Sequence, residues 1–284
     1  MLNRVDRIQM TAVNASAVAD RWCALLDGKR VGEDVVEALA AQRVTVHLGD
    51  SMVEVLEPTG PGIAQDHFDR GSGGPLALGV TTDDLGALKS HLAALDIGGI
   101  DIDGQLFLGA DDLGIPGLSV VVSPEEVRSP VGLMRNLYEA THLTEDAQRS
   151  TGDIARVFGL DASAFVPIRS EQYGYDGTLT LFNAERLDRV ETIHPFDETK
   201  TMGRFFKRFG PSLYMCYGET DDLTVLRERV KSMAPQDWTG SDENDDGLFI
   251  HPRALGGVML GVSRTSHAWT WSGYPERRLP LPGD

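Results

Sequence analysis

The chain repeats itself at a nearly constant offset. Val53-Glu54-Val55-Leu56-Glu57-Pro58 returns as Val190-Glu191-Thr192-Ile193-His194-Pro195, and Thr82-Asp83-Asp84-Leu85 returns as Thr220-Asp221-Asp222-Leu223. The separations are 137 residues (191 − 54) and 138 residues (220 − 82). Two matches in one register point to a duplicated unit, and a duplication limits the possible folds before any local pattern does. Across 284 residues it implies two units of one plan, each able to bury its own apolar face.

Local patterning fills in that plan. A strand is expected over 7–13, then a helix over 15–26 with Trp22, Leu25 and Leu26 on its apolar side and Gly28 as its stop. Period-two alternation over 42–48 and 52–56, joined by Gly49-Asp50, reads as a hairpin, and Pro58 to Gly62 as a breaker. A strand over 75–80 follows, then a helix capped by Asp83-Asp84 with Leu85, Leu88, Leu92 and Leu95 at helical spacing. Strands over 105–108 and 118–122 close the first half, giving two β-α-β-β-β units in 1–124. The second half restarts with strand 136–142, helix 146–158 stopped by Gly159, and hairpin 178–182 with 189–193. Helix 199–209, strand 212–217, helix 223–233 and strands 247–250 and 258–262 complete it. The acidic run 241–246 reads as a loop, and the segment from Ser263, with His267, Trp269, Trp271 and Tyr274, as a tail ending in Pro-rich coil. The organisation expected is thus a domain at 1–127, a linker at 128–133, a domain at 134–264 and a tail at 265–284.

Charge bounds the partners. A formal net charge of −17 repels phosphate, so neither nucleic acid nor an anionic membrane is expected as partner. The basic cluster Arg204, Lys207 and Arg208 reads as a solvated helix face. Cys23 and Cys216 lack metal-ligand spacing and read as reduced thiols. The first residues carry no apolar signal region and no apolar run reaches spanning length, so a cytoplasmic protein is expected; a homodimer is compatible with all of this.

Four β-α-β-β-β units in pairs resemble the vicinal oxygen chelate superfamily, which includes glyoxalase I, methylmalonyl-CoA epimerase, extradiol dioxygenases and bleomycin-resistance proteins. The segment F-I-H-P-R-A-L-G-G-V-M-L-G-V (Phe249 to Val262) resembles the epimerase branch's closing motif F-L-H-P-K-x-x-G-G-V-L-x-E-L. V-E-V-L-E-P and G-P-S-L-Y-M-C-Y-G-E-T-D-D-L resemble other epimerase blocks, while the length and four-unit layout are more like extradiol dioxygenases. The resemblance implies an α+β fold of tandem paired units, two curled mixed sheets, each pair forming a cup around one divalent metal.

Carried over position by position, the resemblance puts Glu191 at the family's first carboxylate position and Glu139 at the first-strand histidine, with His142 three residues on. Met215 falls at the second histidine and Gly261 at the last glutamate; Arg7, Glu54, Pro75 and Val121 correspond in the first half. A thioether and a missing side chain cannot replace an imidazole and a carboxylate around a dication. The implied metal site is therefore lost in both halves and no cofactor is expected, unless His194, His251 or a shifted strand substitutes.

What remains is a carboxylate in an apolar cup. Burial would raise the pKa of Glu191 toward the range of a general acid or base, with His142 or Tyr214 steadying an oxyanion. Glu139, Tyr217, His251 and Trp269 are the candidate substrate contacts. The function expected is a metal-free lyase or isomerase acting on a small oxygenated compound in the second cup. The alternatives are a metal-free protein that binds or sequesters an aromatic, drug-like molecule, and a ring-cleaving dioxygenase with unorthodox ligands.

Overall fold

The structure, a computed structural model, describes residues 1–71, 73–241 and 246–279. The first half runs β1 (Val5–Thr11), α1 (Ala15–Leu26), β2 (Lys29–Val36), β3 (Ala41–Leu48), β4 (Ser51–Pro58), α2 (Ile63–Gly71), β5 (Gly74–Thr82), α3 (Leu85–Ala94), β6 (Ile100–Ile102), β7 (Gln105–Leu108), α4 (Ala110–Leu113) and β8 (Val120–Pro124). The second runs β9 (Asn136–Leu143), α5 (Ala147–Phe158), β10 (Val166–Ser170), β11 (Tyr175–Leu181), β12 (Arg189–Pro195), α6 (Thr201–Phe209), β13 (Ser212–Thr220), α7 (Leu223–Met233), β14 (Trp238–Thr239), β15 (Gly247–Ile250) and β16 (Met259–Arg264). Among the described residues these form two eight-stranded mixed sheets, ordered β2-β3-β4-β1-β5-β8-β7-β6 and β10-β11-β12-β9-β13-β16-β15-β14. The second order is the first one repeated strand for strand, so the duplication read from two short echoes extends to the whole topology.

One local device recurs in all four units. The helix after each unit's first strand is opened by an Asx side chain: Asn14 accepts from Ala17 N (2.7 Å), Asp84 from Ala87 N (2.8 Å), Asp146 from Arg149 N (2.9 Å) and Asp222 from Val225 N (3.0 Å). Each bond satisfies an otherwise orphaned N–H, worth about 1 kcal/mol. Gly159 stops α5 in the left-handed region (φ 60°), where a side chain would be strained.

Elements without a strong apolar period escaped the sequence reading. Strand β2 is largely exposed and held only by pairing with β3, and β10 pairs only with β11, so neither carries a buried alternating face. Helix α2 lies beyond the Pro/Gly breaker and buries only Ala64. Helix α6 begins at Thr201 rather than 199. The tail, expected to end in coil, carries short 3-10 turns at His267–Trp271 and Pro275–Arg277. Residues 280–284, and 242–245 of the acidic run, lie outside the described residues. No helix among the described residues is long and apolar enough to cross a membrane.

The halves share a core. Ile8, Met10 and Trp22 from the first and Leu137, Ala140 and Cys216 from the second belong to one buried apolar cluster. The connection between the sheets is tied down at Val131, which bridges Gly49, and at Leu133, whose N–H donates to Leu26 O (2.9 Å). Two further clusters fill the sheets' other faces. Leu39, Leu56, Ala64, Leu76 and Phe107 close the first, and Tyr138, Leu179, Leu181, Ala268 and Trp269 occupy part of the second.

Candidate active site

Pairing register fixes which side chains share a level. In the second sheet Thr141 of β9 stands opposite Glu191 of β12 and Met215 of β13, and Met215 opposite Met259 of β16. Two residues along each strand, on the same face, Glu139 stands opposite Arg189 and Tyr217, and Tyr217 opposite Gly261. The residue level with Glu191 is therefore Thr141, not Glu139 as the ungapped carry-over placed it. In the first sheet the level of Glu54 holds Gln9 and Ala77, so the counterpart of Met215 is Ala77 rather than Pro75.

These levels border a cavity of about 930 Å³. Its lining includes Glu191, Tyr214, Met215, Tyr217, Phe249, His251 and Met259 of the second sheet's units, with Tyr175 at the start of β11 and Tyr173 in the turn before it. Helix α6 adds Met202, Phe205 and Phe209, and the first half adds His67 and Arg70 from α2. Phe205 meets Tyr214 edge-on with centroids 4.9 Å apart, and Tyr217 meets Phe249 edge-on at 5.8 Å. Seven Phe and Tyr rings thus line its walls.

Glu191 is the buried carboxylate in this wall, 7% exposed; the other lining carboxylate, Asp237, is half-buried and bound to Arg253. Thr141 Oγ1 donates to its Oε2 at 2.6 Å, and the Tyr175 hydroxyl is a second hydrogen-bonding neighbour. The nearby cation is already engaged: Arg189 Nε bonds Glu139 Oε2 at 2.5 Å and its Nη1 bonds Ser272 Oγ at 2.7 Å, both within a fully buried cluster over the Tyr138 ring. Burial, and then the charge of Glu139, push the Glu191 carboxyl up to about 8, against the opposing pull of Thr141 and Arg189. Burial likewise raises the Tyr175, Tyr214 and Tyr217 phenols, so all three are neutral O–H groups near neutral pH.

The structure brings four of the expected site residues to the cavity, Glu191, Tyr214, Tyr217 and His251, and leaves three outside its lining. His142 is fully buried beside the α4–β8 loop, its Nε2 2.8 Å from Pro116 O, and burial depresses it to about 4. Adjacent strand residues face opposite ways, so Thr141 in the cup puts His142 outside it. Glu139 is bound to Arg189, and Trp269 packs with Tyr138 and Leu181 as part of a core, its ring 5.8 Å from Tyr274. His251 Nε2 lies 2.7 Å from Thr239 Oγ1. Sequence reasoning missed Thr141, Tyr175 and His67. The register gives the first, β11 begins three residues before the predicted strand, and His67 rides on the unforeseen α2.

The residues present do not fit the divalent metal that the resemblance implies. Around Glu191 stand a threonine hydroxyl and two thioethers, Met215 and Met259, and Glu139 is neutralised by an arginine. Gly261, at the last-glutamate position, leaves its space to the Tyr217 ring, which a Cβ there would strike. Among the described residues no three His, Cys, Asp or Glu side chains gather around a common point. One carboxylate with a hydroxyl and soft sulfur is a poor donor set for a hard or borderline dication.

No family model matches the chain, and no curated protein matches it either. Solved structures do. A triple variant of 4-hydroxymandelate synthase from Streptomyces coelicolor is 10% identical with a TM-score of 0.68, covering 93% of each chain. Methylmalonyl-CoA epimerase from the same organism is 17% identical, covering 43% of this chain and 99% of its own, with a TM-score of 0.38. The epimerase from Mycobacterium tuberculosis is 18% identical, covering 46% of this chain and 89% of its own, with a TM-score of 0.39. Identity this low carries fold and not chemistry. Strand order, unit count and the end-to-end match to the synthase agree: the chain has the four-unit, two-sheet fold of the vicinal oxygen chelate superfamily.

Proposed function

We propose that the protein is a proton-transfer enzyme, a lyase or isomerase, that works without the family's metal in the second-half cavity. The observation that carries this reading is a buried carboxylate with no ion-pair partner among the described residues, held by Thr141 in the wall of a large aromatic cavity. A carboxyl pushed up to about 8 is part protonated and part ionised near neutral pH, where a general acid–base is most effective. Ionised Glu191 takes a proton from a carbon next to a carbonyl, and the C–H electron pair moves into the carbonyl to give an enolate. The neutral Tyr175 or Tyr214 hydroxyl donates to the enolate oxygen. Glu191 then returns the proton to carbon, or the enolate expels a β-substituent. The Thr141 bond fixes the carboxylate's orientation throughout.

The test is deuterium exchange. Carbonyl compounds with acidic C–H bonds, incubated with the protein in D2O and followed by proton NMR, should lose a C–H signal with native protein and keep it with Glu191→Gln. Exchange that survives the substitution would remove Glu191 from the chemistry. A second reading, binding without turnover, is favoured by the aromatic walls. Ligands that quench the cavity's tyrosine fluorescence while native protein neither exchanges nor converts them would select it.

A further inference from the structure

We propose that the cavity's occupant is a drug-sized organic anion, drawn in by the rim cations Arg70 and Lys200, with an apolar body lying along α6. Its end at Glu191 rests on the proton-transfer reading, whereas the anion site and the aromatic seat stand on their own observations. The first is size. A compound of a few carbons would rattle in about 930 Å³, a volume in the upper part of the range that encloses drug-sized ligands.

The second is α6 itself. Met202, Phe205 and Phe209 recur at spacings of three and four, the stripe by which a helix normally sits on a core. Yet Gly203 is the sole buried residue of this helix, and all three stripe residues face the cavity instead. Phe205 lies tilted against Phe209 (centroids 4.6 Å apart, planes at 49°) and edge-on to Tyr214, a ribbed aromatic seat on the cavity wall with the Arg208 guanidinium over the Phe209 ring at 4.8 Å. Helix α2 comes up to the same seat from the first half, where a Cβ added at Gly71 would lie 3.8 Å from the Phe209 ring.

The third is charge. Among the cavity's cations Arg253 is bound to Asp237 (2.7 Å), but neither Arg70 nor Lys200 has an ion pair among the described residues. Arg70 Nε bonds only its own helix, at Asp66 O. In a protein of net charge −17 the lining thus presents two cations outside any ion pair among the described residues, Arg70 and Lys200, the latter with the longer-range charge of Asp197 beside it. The overall field disfavours anions, so local cations at an aromatic cleft select the anionic ligands that do enter. Arg70 is exposed and Lys200 half-exposed, which places them at the rim, away from the buried Glu191.

The probes are 8-anilinonaphthalene-1-sulfonate and its uncharged analogue N-phenyl-1-naphthylamine, titrated by fluorescence against native protein and the double variant R70E/K200E. The sulfonate should weaken about tenfold in the double variant and the neutral probe by less than about twofold. Phe205→Ala should weaken both. Equal loss of the two probes on charge reversal, no loss of either, or indifference of both to Phe205→Ala overturns the proposal. Both substituted cations are at the surface, and circular dichroism checks that the fold is kept. The outcomes separate cleanly from proton transfer. Sulfonate-selective binding with no deuterium exchange by native protein sinks the enzyme reading and leaves the anion site standing. Exchange without sulfonate preference does the reverse.

Discussion

The two cups began as one design and have ended as opposites. In the first, Glu54 stands where Glu191 stands in the second, but it is surrounded by partners: an ion pair with Arg7, Gln9 Nε2 donating to Oε2 at 2.7 Å, and Arg43 at 3.9 Å. Arg7 is itself bound to Asp6 (2.9 Å), and its side chain fills the space over Gly79, where a Cβ would collide with it. Leu39, Leu56, Leu76 and Phe107 close the rest. In the second cup the level of Arg7 holds Glu139 instead, so the charge pattern is inverted. The arginine moves to β12, two residues from Glu191, and binds Glu139. Where the arginine pairs with the carboxylate one level up, as Arg7 does with Glu54, the cup becomes a core. Where the carboxylate one level up is left over, the cup becomes a site.

The strongest test of that contrast is to remove each carboxylate's charge. Glu191→Gln should lower turnover about 10²–10⁴-fold, the usual worth of a positioned acid–base group, with circular dichroism unchanged. Glu54→Gln should leave turnover in the second cup nearly intact. Its expected cost is about 3–5 kcal/mol of stability, because breaking a buried ion pair strands charge that cannot reach water; urea unfolding measures it. If the stability loss fell on Glu191 and the activity loss on Glu54, the assignment of core and site would be reversed.

How much of this was legible beforehand depends on what each feature needs. The topology was readable because the echoes at one offset, one of them carrying the Asp83-Asp84 helix cap, are written locally in the chain. Glu191 was readable because it lies inside an echo. Its neighbours were not. Thr141 and Met215 meet Glu191 through pairing between strands distant in sequence, and β-bulges at Leu213/Met215 and Gln9/Met10 shift the count that an ungapped transfer assumes. His142 looked like a partner because it shares a strand with Glu139, and strand parity puts it behind the sheet. The aromatic run of α6 was recognised as a helix, but periodicity cannot tell a face that meets a core from a face that meets a cavity.

A smaller effect is expected at the glycine that makes room for the second cup's wall. Gly261 lets the Tyr217 ring lie flat on β16, and its first-half counterpart is Val121, beside Gly79 with the Arg7 side chain above. Gly261→Ala should force the Tyr217 ring toward the cavity, costing about 1–3 kcal/mol as overpacking and weakening ligands that reach Glu191. Val121→Ala trims a filled core without touching the site, so its stability loss should come with unchanged ligand affinity. Fluorescence titration beside thermal unfolding of the two variants reads the difference.

The finest distinction is in the pH dependence of stability. Folded Glu191 holds its proton up to about 8, whereas in the unfolded chain it ionises near its ordinary value of 4.5. Between those values the native state binds a proton that the unfolded state does not, so stability falls as pH rises, by about 1.4 kcal/mol per pH unit for this one group. The contribution is fully present below pH 4.5 and gone above 8. The groups that set it are Glu139 and Arg189 below, and Thr141 and Tyr175 alongside. Glu191→Gln should therefore flatten the decline in urea-unfolding stability between pH 5 and 8 and gain on the native protein as pH increases. Glu54→Gln should leave that decline in place, because Glu191 still titrates. An unchanged slope in Glu191→Gln would mean that the second cup neutralises its carboxylate as the first one does.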